Sequence, residues 1–277
     1  MAKKIIFIFA LLHLNFFAQE RVVFFPNGLN FKPYAANILE PRVGFMFELD
    51  KNYLRLDIGN SIDLTKIYLN EKEKFSFGAD FFTYTLLRSQ NNFKFPVEAV
   101  DYLFGLNFAY INFDSLKNIG YGSRLRISHI SSHLSDKRFD NISFSWKDQL
   151  NPFVYSREFF ELSFYYEYNN AKIYLGASYL FHIIPKNIKR DEYFAGVEYF
   201  ANFISSHFLP YFAYNIKINH FSNGYYVNHN AALGSKLGTK NGRGISLYLS
   251  YYKGKNFHGP LYLYDKNYVS LGFNVDL

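Results

Sequence analysis

Two short strings in this sequence hold an imidazole and a hydroxyl two residues apart, a spacing that puts both on one face of an extended chain. The first is His220-Phe221-Ser222-Asn223-Gly224. Histidine beside serine is the minimum for nucleophilic catalysis, the ring taking the hydroxyl proton so that the oxygen can attack an ester. Such a ring needs a third polar group to orient it. Asn228 or Asn230 on the next segment offers an amide, although alternation sets both opposite Val227, Ala231 and Leu233. Without chemistry, Ser-Asn-Gly is a hairpin turn with a histidine beside it. The second string runs from Ser128 to Asp136 and holds His129, Ser131 and His133 in one row with Leu125 and Ile127. Arg124, Arg126, Ser128 and Ser132 fall in the opposite row, where the arginines are expected to pair with inward acids such as Glu161 or Glu167. His129 and His133 with Asp136 make a sparse metal set. No metal or cofactor is assigned, and the cluster reads as a polar network anchoring a loop.

Rows like these need strands to hold them, and the chain repeats period-two alternation from near residue 43 onward. Val269, Leu271, Phe273, Val275 and Leu277 share one face while Ser270, Gly272, Asn274 and Asp276 share the other, a sorting no helix produces. Phe160, Leu162, Phe164, Tyr166 and Tyr168 likewise oppose Glu161, Ser163, Glu167 and Asn169, with Glu158 on the apolar side at the strand start. The pattern predicts strands at 43–49, 53–59, 75–87, 100–113, 120–133, 156–169, 171–183, 191–205, 208–222, 226–238, 244–253 and 266–277. Twelve is an even number, as bacterial barrels keep. Segment 62–69 either extends the second strand or pairs on its own, so ten or fourteen stay open. Connections 169–170, 205–207 and 239–243 are short, and 88–99, 134–155, 184–190 and 254–265 are longer, the two-ended rhythm of an outer-membrane barrel. Two connections break it: 60–74 is long on the short side and 50–52 short on the long side.

Composition selects the solvent for those apolar faces. The chain has 33 Phe and 25 Tyr against one Trp and two Met. Soluble cores favour Leu, Ile and Val, whereas membrane barrels use aromatics in girdles at both interfaces. A β-sandwich or lipocalin-like barrel would share the alternation with its apolar rows turned inward. A basic start at 1–4 and an apolar run at 5–12, too short to span a bilayer, predict a signal peptide over 1–19. That export signal, the aromatic load and a final strand reaching the last residue favour the membrane. Residues 20–42 are then an N-terminal lead-in or plug, and 43–277 the barrel. Absence of cysteine removes disulfides, thiolate metal sites, thiol nucleophiles and a lipoprotein anchor. The formal charge of +7 is scattered rather than gathered into a stripe, which argues against nucleic acid and for anionic lipid headgroups.

The string His220 to Gly224 resembles the active-site strand of outer membrane phospholipase A and of the lipid A deacylases, barrel enzymes with His and Ser on the outer wall. The resemblance implies Ser222 as nucleophile and His220 as base, with Asn or Glu from the neighbouring strand about a dozen residues on. Gly234 occupies that spacing and no carboxylate lies near it, which leaves Asn230 as the candidate third member. More broadly, Arg126 to Asp136, Ser156-Arg157-Glu158-Phe159, and Tyr252-Lys253-Gly254 with Gly259 resemble an uncharacterised Gram-negative envelope family, domain of unknown function 1207. That likeness implies export and names no activity.

Together these observations predict an all-β, transmembrane, antiparallel up-and-down barrel of about twelve strands in the bacterial outer membrane. Its expected partners are membrane lipids, lipopolysaccharide among them, and not nucleic acid; oligomeric state is not readable. Three roles stay open: a structural or ligand-binding envelope protein, a serine lipid hydrolase using His220 and Ser222, and a narrow channel or transporter. The first asks least of the residues, because no catalytic set is complete.

Overall fold

The computed structural model describes residues 21–202, 205 and 207–276, so the expected signal peptide lies outside the described residues. The strands are β1 (Arg21–Phe24), β2 (Val43–Glu48), β3 (Tyr53–Tyr68), β4 (Glu73–Arg88), β5 (Val97–Asp114), β6 (Ile119–Leu134), β7 (Phe139–Asp140), β8 (Ser145–Trp146), β9 (Tyr155–Tyr168), β10 (Ala171–Ile184), β11 (Ile188–Phe200), β12 (Phe208–Phe221), β13 (Gly224–Gly238), β14 (Gly244–Lys255) and β15 (Asp265–Asp276). Every neighbour in the large sheet is antiparallel, and β3 pairing with β4 closes the ring. β1 and β2 lie beside different stretches of the same strand, β1 against 65–68 of β3 and β2 against 54–57, so they form one stave in two pieces. The barrel thus has twelve staves, and β7 with β8 is a small hairpin inside the loop between β6 and β9.

The connection expected to be long at 60–74 is a turn of four residues, because β3 runs on to Tyr68. A register shift between Asp63 and Thr65 carries the strand through the stretch whose pattern reads as ambiguous. Likewise 184–190 shrinks to 185–187, and β11 starts at Ile188. The 169–170 turn is as short as expected, and Asn169 takes a left-handed φ of 53°, which asparagine tolerates. One end of the barrel carries the turns 69–72, 115–118, 169–170 and 239–243; the other carries the loops, longest at 135–154.

Large apolar side chains on the outer face are exposed along every long strand, Leu175 at 60% and Leu233 at 63% among them. A water-soluble monomer rarely shows a continuous apolar surface beyond a few hundred Å², so this band requires hydrocarbon around it. No described helix is long and apolar enough to cross a membrane; the crossing elements are strands.

The lumen is packed. Between β1 and β2 the chain leaves the wall, and Phe31, Tyr34, Ile38, Leu39 and Glu40 are buried inside the ring. Tyr34 stacks on Tyr174 at 3.8 Å, and Tyr174 lies over Gly196, where a Cβ would meet its ring at 2.3 Å. Glu40 accepts two bonds from the Arg124 guanidinium. Arg126 pairs with Asp80 at 3.0 Å and with Glu161 at 3.3 Å. The inward arginines therefore meet Glu161 as expected, but their closer partners are Glu40 and Asp80. Glu167 serves Lys172 and Lys240 instead.

Candidate functional site

The outward row of β6 ends in His129, Ser131 and His133, and its neighbours across the sheet decide what these can do. Antiparallel register places His129 opposite Glu158 of β9 and Ser131 opposite Ser156. Residues facing each other in this way have their side chains side by side. His129 Nδ1 lies 2.6 Å from Glu158 Oε1, and Ser156 Oγ donates to the same carboxylate oxygen at 3.1 Å. The other oxygen bonds Nδ1 of His182 on β10. His182 reaches it through a bulge: Leu180 pairs with Phe159 and His182 with Glu158, so Phe181 is an extra residue. Without that insertion His182 would alternate inward; with it, the ring faces out beside Glu158.

Serine, histidine and carboxylate thus share an outward patch near the loop end of β6, β9 and β10. The Nδ1 bond to Glu158 leaves Nε2 as the nitrogen able to take a proton, the tautomer a general base requires. Among the described residues Ser131 Oγ has no hydrogen-bond partner, so nothing else claims its proton. His129 and Ser131 stand about 6.6 Å apart along the strand, two residues at the usual rise. No hydrogen bond joins the two in the structure; catalytic bonds of this kind commonly tighten only with substrate in place. Phe104 packs on His129 with ring centres 4.8 Å apart, an apolar wall on the side away from Glu158.

The His220 string is arranged differently. His220 Nδ1 contacts Asp191 Oδ1 at 2.7 Å, and its ring stacks on Tyr225 at 4.0 Å. Tyr225 donates to the second Asp191 oxygen at 3.1 Å. Ser222 lies past the end of β12 in a two-residue turn, and its hydroxyl donates to the Asn187 carbonyl at 3.1 Å. Asn230 faces the lumen, donating to the Ala36 carbonyl and accepting from Ser250. It is therefore separated by the barrel wall from the ring it was expected to orient, as period-two alternation demands. The structure brings His220 to a carboxylate but joins neither Ser222 nor Asn230 to it.

His133 rests edge-on against Tyr102, and Asp136 opens a 3-10 turn, so neither joins His129 around a common point. No described group gathers three or more His, Cys, Asp or Glu in a metal-holding arrangement. Glu158 is the residue that motif spacing misses. It sits on the apolar row of its strand, where a carboxylate is costly, but the 135–154 loop separates it from His129 by 29 positions.

Solved structures with a similar fold are outer membrane phospholipases. That of Escherichia coli matches at 13% identity and TM-score 0.55, covering 88% of this chain and 93% of the other. An active-site asparagine-to-alanine mutant of the same enzyme matches at 14% identity and TM-score 0.55, over 90% and 93%. The Salmonella typhi phospholipase, a dimer with bound calcium, matches at 10% identity and TM-score 0.52, over 90% and 94%. At such identities the likeness is one of fold. No curated protein matches the sequence. The family model for a protein of unknown function, DUF1207, matches residues 89–276, and the chain belongs to that family.

Proposed function

We propose that this barrel is an outer-membrane serine hydrolase of lipid esters, with Ser131 as nucleophile, His129 as base and Glu158 as the group that orients the base. The observation that carries this reading is the 2.6 Å contact between His129 and Glu158 on the outward face, one row-step from a serine with no other partner among the described residues. Ionisable side chains against hydrocarbon are expensive unless used, and here a carboxylate and two imidazoles sit together on that face. A site on the outer wall takes its substrate sideways from the membrane, which fits an acyl ester better than a soluble metabolite. The loop end faces outward in barrels with long external loops, so the substrate would come from the outer leaflet. In the reaction Ser131 Oγ attacks the acyl carbonyl while His129 takes its proton. The same ring then protonates the leaving alcohol, and water releases the fatty acid by the reverse sequence.

Protein purified in non-ionic detergent and mixed with phosphatidylethanolamine or lipopolysaccharide is expected to release fatty acid. Ser131→Ala should abolish release while Ser222→Ala leaves it intact. Activity that survives Ser131→Ala, or is lost only in Ser222→Ala, would overturn the assignment. The channel reading is left without a comparable constellation, since Arg124 and Arg126 pair with Glu40 and Asp80 and the segment between β1 and β2 occupies much of the lumen.

A further inference from the structure

At the end of the barrel opposite the ester-hydrolase patch, the packed lumen opens into a cavity of about 120 Å³. One water needs roughly 10–15 Å³ on this measure, so the space holds several waters or one small polyatomic ion. Its walls bring together Lys32 and Arg42 from the segment inside the ring, Lys172 from β10, and Lys236 and Lys240 from β13 and the turn after it. Against these five cations the described lining sets two carboxylates, Glu198 and Asp276. Glu167, in contact with Lys172 and Lys240, adds a third acid, leaving an excess of two positive charges.

The cations are not equally engaged. Lys236 is tied to Asp276 at 2.6 Å and to the Gly242 carbonyl at 2.9 Å, and Lys240 is held by Glu167. Lys172, with its side chain only 10% exposed, stands 3.8 Å from both Glu167 and Glu198 and makes no hydrogen bond to either. Lys32 has no carboxylate within ion-pair distance among the described residues. Arg42 bonds the backbone carbonyls of Asn37 and Glu40 beside the Tyr248 hydroxyl; the Asp57 and Glu40 carboxylates, each paired with another arginine, act on it only from beyond ion-pair distance. Burial, and then the charge of Lys236, lower the proton affinity of Lys32. A cation withdrawn from water without a charged acceptor is costly, and around this void Lys172 is buried and Lys32 and Arg42 half-buried with no hydrogen-bonded carboxylate.

We infer that this cavity is a binding site for a small soluble dianion of the phosphate class, held by Lys32, Arg42 and Lys172. Two negative charges cancel the local excess. A tetrahedral oxyanion offers enough acceptor oxygens to meet cationic groups from three sides. Ser246, on an inward row of β14, and Asn241 of the adjoining turn line the same space. The cavity lies inside the ring, so an acyl chain has no room in it, and a lipid headgroup would reach it only from the rim.

The probe is inorganic phosphate added to the full-length protein in non-ionic detergent, with chloride at matched ionic strength as reference. Saturable binding of about one phosphate per chain by equilibrium dialysis is expected, with a thermal midpoint that rises by roughly 5–10 °C at a hundred times Kd. Lys172→Met and Lys32→Met should each weaken binding at least tenfold, and Lys172→Arg should retain it. Lys137→Met, in an exposed loop at the far end, should change nothing. Unfolding midpoints in chloride show whether each variant folds. No saturable binding, binding unaffected by either methionine variant, or stabilisation by phosphatidylglycerol vesicles without any response to free phosphate would each overturn the proposal. Because the readout is binding and stability, loss of ester hydrolysis in Ser131→Ala has no bearing on it.

Discussion

The carboxylate of Glu158 is held by Ser156 and shared by two imidazoles, and removing each neighbour should have a different consequence. In the proposed reaction Glu158 stabilises the imidazolium that forms on His129. Glu158→Gln keeps the shape but removes that charge and invites the wrong tautomer, so kcat should fall by about 10²–10⁴ with little change in KM. His182→Ala removes one of three bonds that fix the carboxylate, worth on the order of tenfold in kcat at the usual 1–1.5 kcal/mol for such a bond. Steady-state kinetics on mixed micelles measures both. Equal rates in wild type and Glu158→Gln would take the carboxylate out of the machinery. At this scale the sequence is half legible. His129 and Ser131 announce themselves by spacing, and Glu158 by lying on an apolar row, but only sheet register reveals that the two rows adjoin. The His220 string carries the more familiar local pattern, but its serine falls in a turn and donates to the Asn187 carbonyl.

Elements place these groups, and one loop places itself by charge. The segment between β14 and β15 folds over the lumen, burying His258 completely. Its Nδ1 lies 2.7 Å from Asp101 Oδ2, and the Gly259 amide donates to the other oxygen of the same carboxylate at 2.7 Å. Burial holds the His258 imidazole below its ordinary value of 6.5, outweighing the attraction of Asp101. Folded and unfolded chains then differ in proton uptake: as pH falls through 6.5 the unfolded chain binds a proton that the folded one refuses. Stability from this group is complete above about pH 6.5 and declines as pH drops toward the folded value. Urea midpoints in detergent should fall between about pH 7.5 and about pH 5, and His258→Asn should flatten that slope; an unchanged slope would contradict the assignment. Alternation foretells the staves, since it records which side chains meet hydrocarbon. It does not foretell the bulge at Phe181 that turns His182 outward, nor the excursion of 25–42 into the lumen. Both depend on what a distant stretch of chain presents, Glu158 on the neighbouring strand in one case and Arg124 with Tyr174 on the inner wall in the other.

For the molecule as a whole, one inversion governs everything else: polar and charged side chains fill the interior, and apolar ones cover the exterior. Arg126, Glu40, Asp57 and Asp101 are among the most deeply buried side chains, while Phe104, Leu162, Leu175 and Leu271 are exposed. A sequence alone distinguishes two alternating rows without stating which is inside, which is why a lipocalin-like barrel fits the same pattern. The closed ring removes that ambiguity, because Arg124 and Arg126 reach Glu40 and Asp80 across its interior. The inversion makes a depth-dependent prediction. Leu162 is in the middle of β9 and Tyr168 at its end, both on the outward row. Arginine at the bilayer midplane costs about 2–4 kcal/mol and near an interface about 0–1. Leu162→Arg should therefore destabilise the barrel by the larger amount and Tyr168→Arg by the smaller, measured as reversible unfolding in phospholipid vesicles. Were the outer face in water, both changes would cost little and equally, and the proposed ester hydrolysis would lose the membrane from which its substrate would be drawn.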